Sequence, residues 1–377
     1  MLQTLAFANY RSLRELRLSL GRLTVITGGN GVGKSNVYRG LRLLVDAVEG
    51  QLGRALAREG GMPSALWAGA LSNRSTKSEG RRLSIGFADE TMAYELRLGL
   101  PPPHKRDDPP SAFLLDPQVK EETIRTLEAP RVNLLERRNL SAMLRDYDGN
   151  PVTFGATIDL SESVLSQLAE PHRYPVLSML RERLRRWRFY HQIRTDADSP
   201  VRAMQVGTRT PVLAHDGHDL AAALRTILEI GDHAALAAAI EQAFDGARLD
   251  VVADDARFRI ALEMPGVLRA LDAAELSDGT LRYLALLAAL HTPRPPELLV
   301  LNEPETSLHP RVLVPLARQI IAAAAQSQVI VVSHAAPLVD AIVGAHGAVR
   351  IELAKQDGET VVAGRRRVDE PPWRWTS

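Results

Sequence analysis

Residues 28–35 read Gly-Gly-Asn-Gly-Val-Gly-Lys-Ser, a spacing of glycines, lysine and hydroxyl suited to gripping a triphosphate. Glycine allows the positive φ angles that turn successive backbone N–H groups inward onto phosphate oxygens. The apolar run Leu23-Thr24-Val25-Ile26 leads in and a periodic stretch over 36–48 leads out, so the context is strand, loop, helix. The helix adds its uncapped N–H groups and positive end. Gly28, Gly29, Asn30, Gly31, Val32 and Gly33 are expected to form the cradle, with Asn36 just beyond it. Lys34 is placed to carry charge to the β- and γ-phosphates of ATP, and the Ser35 hydroxyl to ligate Mg2+.

Three further segments carry groups of matching chemistry. Residues 298–303, Leu-Leu-Val-Leu-Asn-Glu, read as a buried central strand that delivers polar side chains to its carboxyl edge. Glu303 is the candidate general base for the water that attacks the γ-phosphate. Asn302 stands where such a strand presents an aspartate to the hydration shell of Mg2+, and its amide can accept from a metal-bound water without supplying charge. Residues 276–282, Leu-Ser-Asp-Gly-Thr-Leu-Arg, precede an apolar helix, so Ser277 and Gly279 sit where a hydroxyl, N–H groups and a helix dipole make a second anion site. Residues 330–334, Ile-Val-Val-Ser-His, end another apolar strand with His334 placed to touch a γ-phosphate.

The elements that must position these groups follow from the pattern. The start of the chain is β-rich, and 82–87 with 92–98 reads as a hairpin about Asp89-Glu90. Pro101-Pro102-Pro103 through Pro109-Pro110 reads as a surface linker. Residues 111–270 are expected to be an inserted, helix-rich lobe leading into the 276–282 segment, while 1–100 and 270–377 form the nucleotide-binding lobe. From 275 onward helix and apolar strand alternate in the rhythm of a largely parallel sheet, and Asp357-Gly358 signals a late hairpin.

Composition limits the alternatives. With 377 residues, 45% of them hydrophobic, the chain can bury a large core. A net charge of +1 makes no global electrostatic argument for nucleic acid. The absence of cysteine excludes disulfides, thiolate metal sites and a cysteine nucleophile. Apolar runs are far shorter than a membrane span and the N-terminus is polar, so a soluble, cytoplasmic protein with no membrane partner is expected. The basic cluster Arg181, Arg183, Arg185, Arg186 and Arg188 interleaves with Trp187, Phe189 and Tyr190. It reads as a solvated helix face running into a buried strand, with a nucleic-acid groove as the alternative. The tail with Trp373 and Trp375 reads as a disordered terminus, with a docking segment as the alternative.

Taken in order, Asn9-Tyr10-Arg11-Ser12, the 28–35 loop followed by Asn36, LSDGTLR at 276–282, LNEPETSLHP from 301 and VVSH ending at His334 resemble the soluble ATP-binding-cassette ATPases related to SMC, RecF and OLD proteins. More narrowly, they resemble bacterial stand-alone ATPases that carry LSDGT. The resemblance covers roughly 1–50 and 270–340. It implies an α/β P-loop NTPase of ABC-ATPase type, with a mixed central sheet, an antiparallel β edge and a helical lobe. It also implies a homodimer that sandwiches two ATP molecules, Ser277 and Gly279 of one copy facing the phosphate loop of the other. Ser307-Leu308-His309 corresponds to the loop that communicates between the sites, and Gln167 is the candidate for the glutamine that senses Mg2+ and γ-phosphate. The setting implied is DNA maintenance or defence against foreign DNA, with DNA and a separate nuclease or effector as partners. Asn302, Asp278 and Thr280 depart from the pattern, which bears on hydrolysis more than on binding. A slowly hydrolysing, ATP-dependent interaction switch is the competing reading, and a transporter motor subunit the third.

Overall fold

The computed structural model describes residues 1–69, 82–102, 112–154 and 157–376. The linker expected from Pro103 to Pro110 lies outside them. Contacts group the chain into two units, one of Met1–Gly21, Gly28–Trp187 and Ile351–Ser377, the other of Arg22–Thr27 and Arg188–Arg350.

In the first unit β1 (Thr4–Tyr10) and β2 (Leu13–Ser19) form a hairpin with Asn9, near the end of β1, and Arg11, in the turn, at positive φ. Helix α1 (Lys34–Val48) turns Val37, Leu41, Leu44, Val45 and Val48 into the core, the stripe that its 3.6-residue period dictates. The short helices α2 (Leu52–Arg58) and α3 (Gly61–Ala65) follow. Strands β4 (Leu83–Ala88) and β5 (Met92–Gly99) pair about Asp89, whose Oδ1 accepts from the N–H groups of Thr91 and Met92, both at 2.8 Å. Four more antiparallel strands come next: β6 (Gln118–Thr126), β7 (Asn133–Arg138), β8 (Ser141–Arg145) and β9 (Pro151–Thr153). The sheet runs β2-β1-β4-β5-β6-β7-β8-β9, and α4 (Val164–Gln167) and α5 (Pro175–Arg185) complete this run of the chain.

Residues 118–153 therefore correct the expectation of a helix-rich lobe over 111–270. Their buried face carries charge where a strand pattern calls for apolar residues. Glu122 and Arg137 are both fully buried and 4.0 Å apart. The Glu122 carboxylate accepts from Tyr94 Oη at 2.8 Å and Val164 N at 2.8 Å, and Arg137 donates to the carbonyls of Asn139 and Asp159. A buried charge satisfied in this way is tolerated, and it hides the period-two signal.

The second unit is built on parallel strands. Residues 23–27 of β3 (Leu23–Gly28) belong to it, with β10 (Arg188–Tyr190) and β11 (Gln205–Val206). Helices α6 (Leu220–Ile230) and α7 (His233–Ala243) split at Gly231-Asp232, Asp232 capping the second through Ala235 N at 2.9 Å. Strands β12 (Arg248–Asp254), β13 (Arg257–Glu263) and β14 (Leu271–Asp272) form a small antiparallel group. The βα alternation resumes with α8 (Asp278–Leu290), β15 (Leu298–Asn302), α9 (Leu313–Ala323), β16 (Gln328–Val332) and α10 (Ala336–Val343). The parallel order is β10-β15-β16-β3. Every residue of β15 and β16 is buried, as expected of parallel strands covered on both faces. Finally β17 (Ala348–Gln356) pairs with β18 (Glu359–Val362) across Asp357-Gly358, both at positive φ as a two-residue hairpin turn demands.

The terminal tail is docked, against the expectation of disorder. Trp373 is buried against Ala6 and Ala93, the Arg125 guanidinium lies 5.9 Å from its ring centroid, and Thr376 N donates to Glu95 at 2.9 Å.

On α1, burial raises the Asp46 carboxyl from the ordinary 3.8 to about 6, against the opposing pull of Arg42. Between those two values the folded chain keeps a proton that the unfolded chain has released, so stability falls as pH rises through the window. Asp46→Asn is expected to flatten that dependence, with a higher Tm than the parent at pH 8 and an equal one near pH 4; calorimetry against pH checks it.

Candidate functional site

The phosphate loop is braced from behind within the first unit. Gly33 caps α1 in the left-handed region, φ 106°, with no side-chain hydrogen bond, which leaves the first N–H groups of the helix without a side-chain cap. A Cβ there would collide with Thr360 Oγ1 and Ser12 Oγ. Those two hydroxyls are 2.7 Å apart, Thr360 Oγ1 donates to Val32 O at 2.6 Å, and Asn36 Nδ2 donates to Ser12 Oγ at 2.9 Å. Ser12 thus ties the Asn9-Tyr10-Arg11-Ser12 segment to the loop, and Asn36 acts as a brace. Thr360 was missed by sequence reasoning, since a threonine in a hairpin strand carries no signal of its own. Lys34, 5% exposed, folds its Nζ into the loop, 2.7 Å from Gly28 O and 2.8 Å from Gly29 O. Gly29, Asn30 and Gly31 are exposed, and Val32 and Ser35 half-buried.

In the second unit the strand registers bring the other polar groups to one edge. Asn302 pairs with Val332 and Val332 with Ile26, so the carboxyl ends of β15, β16 and β3 lie level, with Glu303, Ser333 and Thr27 one step further. Gly28 is the next residue of the chain after Thr27. Asn302 is 1% exposed and its Nδ2 lies 2.8 Å from His191 Nδ1. Glu303 turns the chain at φ 51°, a conformation that a non-glycine residue adopts at a cost. Glu305 Oε1 accepts from Ser333 Oγ at 2.8 Å and His334 N at 3.0 Å, and lies 3.3 Å from His334 Nδ1. His334 itself is 51% exposed.

Two arginines and a glycine join the 276–282 segment to this edge. Ser277 caps α8 through Thr280 N at 3.1 Å and is exposed. Gly279 approaches Ser307 so closely that a Cβ would sit 2.6 Å from Ser307 O, which explains the glycine and brings the 307–309 loop against the segment. Arg282 is buried and donates from Nη2 to His191 O at 2.6 Å and Glu303 O at 3.3 Å. Burial lowers its pKa, opposed by Glu305 and Glu303. Arg202 Nη2 donates to Asp278 Oδ1 at 2.6 Å. His191, Arg202 and Arg282 had no recognised role in the sequence reading; the three-residue strand β10 is too short for periodicity to announce it.

Three buried oxygens, Thr27 Oγ1, Asn302 Oδ1 and Glu305 Oε2, have no hydrogen-bond partner in the protein. Buried oxygens of this kind at a strand edge suit a hydrated cation, whose waters donate to them. Hydroxyl, amide and carboxylate oxygens of this kind are hard ligands, the type that Mg2+ takes.

One expectation is corrected by geometry. The Gln167 amide is used locally, accepting from Asp159 N at 3.0 Å and donating to Ser163 O at 3.1 Å. The adjacent Glu162 lies beside Gly50, just past the C-terminal end of α1, and the phosphate loop is at the other end of that 15-residue helix. At 1.5 Å per residue the helix separates them by about 22 Å. Gln167 is thus not a metal-sensing residue. For the basic cluster the structure removes the base-stacking part of the nucleic-acid alternative and fits the preferred reading of a helix face running into a buried strand. Trp187, Phe189 and Tyr190 are buried and cannot stack bases, while Arg183 pairs with Asp89 and Arg185 with Glu182.

A glycine loop that follows the parallel strand β3, in a chain whose strands β15 and β16 end in carboxylate and histidine segments, is the sequence-and-fold context of a P-loop nucleotide-binding domain. Residues 23–340 match the family model described as "AAA domain, putative AbiEii toxin, Type IV TA system", and the chain belongs to that family. No curated protein matches it. Among solved structures it is similar to an Smc head bound to the C-winged helix domain of ScpA, with TM-score 0.50 and 15% identity over 96% of this chain and 97% of that one. It is also similar to the SMC head domain from Thermotoga maritima (TM-score 0.46, 15% identity, 97% and 99% covered). A third is an Smc head with an extended coiled coil bound to the C-terminal domain of ScpA from Pyrococcus furiosus (TM-score 0.49, 13% identity, 96% and 95% covered). The first of these likenesses shows the α/β fold, with its antiparallel sheet and helical part. Among the described residues no helix is long and apolar enough to cross a membrane.

Proposed function

We propose that the chain binds Mg-ATP on loop 28–35, closes into a homodimer around two nucleotides, and reopens on hydrolysis. The observation that carries this reading is the level edge of β3, β16 and β15, which aligns the strand entering the phosphate loop with those that end in His334 and Glu303. Lys34 and the loop N–H groups hold the β- and γ-phosphates. Glu303 polarises the attacking water, and His334 contacts the γ-phosphate. Ser35, and Asn302 through a water, would hold Mg2+, which screens the phosphate charge. Ser277 and Gly279 of one copy close on the nucleotide of the other, so loss of the γ-phosphate deletes contacts across the dimer.

The setting in this proposal is defence against foreign DNA or DNA maintenance, with a separate nuclease or effector, and DNA itself, as partners; these come from the resemblance of the motifs, while the family's description names a toxin of a type IV toxin–antitoxin system. A cytoplasmic location is part of the same proposal. Phosphate release together with dimer mass by light scattering, each with and without ATP, tests the reading: ATP-dependent doubling of mass and steady turnover support it, and a monomer that releases no phosphate refutes it.

The switch reading draws on Asn302. Its neutral amide, bonded to His191, supplies no charge for a metal shell, so turnover is slow and the closed dimer is long-lived. Asn302→Asp is expected to lower the Mg2+ concentration for half-maximal turnover by about tenfold, the effect of roughly 1.4 kcal/mol from one added charge. A magnesium titration of phosphate release checks it.

A further inference from the structure

We infer that Arg202 is the positioning and charge-balancing residue that lets the signature segment carry an aspartate, Asp278, beside a bound triphosphate. This rests on the ATP-sandwich reading above and adds to it a residue from outside the signature.

Arg202 ends a 3-10 turn (Pro200–Arg202) in the segment that leaves the carboxyl end of β10, and its side chain is 14% exposed. Its Nε donates to Thr195 O at 2.8 Å and Asp196 O at 3.1 Å. Nη1 reaches Ala273 O at 3.1 Å, Ala274 O at 3.3 Å and Leu276 O at 2.8 Å, and Nη2 takes the Asp278 carboxylate at 2.6 Å. One planar fork therefore spans its own loop and the main chain that runs into Ser277. Lysine, with a single nitrogen, cannot reproduce that set.

The electrostatic argument is independent of the clamp. Asp278 is 57% exposed and adjoins the hydroxyl proposed to meet a γ-phosphate. A triphosphate brings several negative charges, and a bare carboxylate next to that hydroxyl repels them with little screening once the interface excludes water. Asp198 lines the same cavity of about 630 Å3 as Asp278, and Asp196, which also lines it, is already paired with Arg194, so Arg202 is the cation that answers Asp278. With Arg202 bonded to it, Asp278 presents a neutral pair. The departure at Asp278 is thus matched by a basic residue 76 positions earlier in the chain.

The test uses the full chain with Glu303→Gln and measures the ATP-dependent dimer constant by sedimentation. Arg202→Met is expected to weaken the dimer by about 30-fold, and adding Asp278→Asn to recover about tenfold of that, because the repelling charge is gone. Arg202→Lys should lie between parent and Arg202→Met, and the Arg202→Met defect should shrink at high salt. If Arg202→Met is poorly folded, Arg202→Lys with and without Asp278→Asn carries the same comparison. Dimerisation of Arg202→Met equal to the parent, or a defect that Asp278→Asn and salt leave untouched, overturns the inference. A Glu303→Gln parent that stays monomeric with ATP instead overturns the sandwich reading, and this inference falls with it.

Discussion

Glu303→Gln is expected to cut phosphate release by about 10²- to 10⁴-fold, the range for loss of a positioned general base, while ATP affinity stays within a few-fold of the parent. Glutamine keeps the size and the hydrogen-bonding reach of the side chain but cannot take the proton from water. The backbone at 303 is held by its N–H donating to Val332 O at 2.7 Å and by Arg282 on its carbonyl, so the substitution leaves the edge in place. Because the γ-phosphate persists, the dimer should accumulate with ATP and elute at twice the monomer mass. Single-turnover phosphate release, read beside light scattering, separates the two effects. Hydrolysis at the parent rate would move the base to another carboxylate, Glu305 being the nearest in the chain.

Lys34→Ala is expected to weaken ATP binding by about 30- to 4000-fold, from the roughly 2–5 kcal/mol that truncating one partner of a buried charge pair costs. In the free protein Nζ is held by the carbonyls of Gly28 and Gly29, an arrangement in which the ammonium waits where phosphate charge is to arrive. Removing it deletes the cation and leaves those carbonyls short of a donor, so a modest loss of Tm accompanies the loss of affinity. Calorimetric titration with ATP measures the first and thermal unfolding the second. No dimer should form at any ATP concentration that saturates the parent.

What could be read from residue types was what physics forces into a local pattern. The run 298–302 and the run 328–332 are buried on both faces, so they appear as unbroken apolar strands with their polar groups at the end. The cap of α8, the hairpin at Asp357-Gly358 and the 28–35 loop each depend on residues adjacent in the chain. Features built across the chain were hidden. Residues 118–153 bury Glu122 and Arg137 at positions where a strand shows apolar side chains, so they passed for part of a helical lobe. Thr360 braces Val32 from 328 positions away, and Arg202 serves Asp278 from 76. Gln167 looked apt as a glutamine after an apolar stretch, but its amide is consumed by its own loop. The aromatic residues at 187–190 are in the core, in line with the buried strand preferred from the pattern and against the stacking alternative.

The claim on which these expectations depend is that a triphosphate is gripped from two copies at once. A crystal structure of the Glu303→Gln protein with Mg-ATP tests it most directly. The account predicts Ser277 Oγ of one copy within hydrogen-bond distance of the γ-phosphate seated on Lys34 of the other. Triphosphates contacted by a single copy, with Ser277 remote from every γ-phosphate, would contradict it.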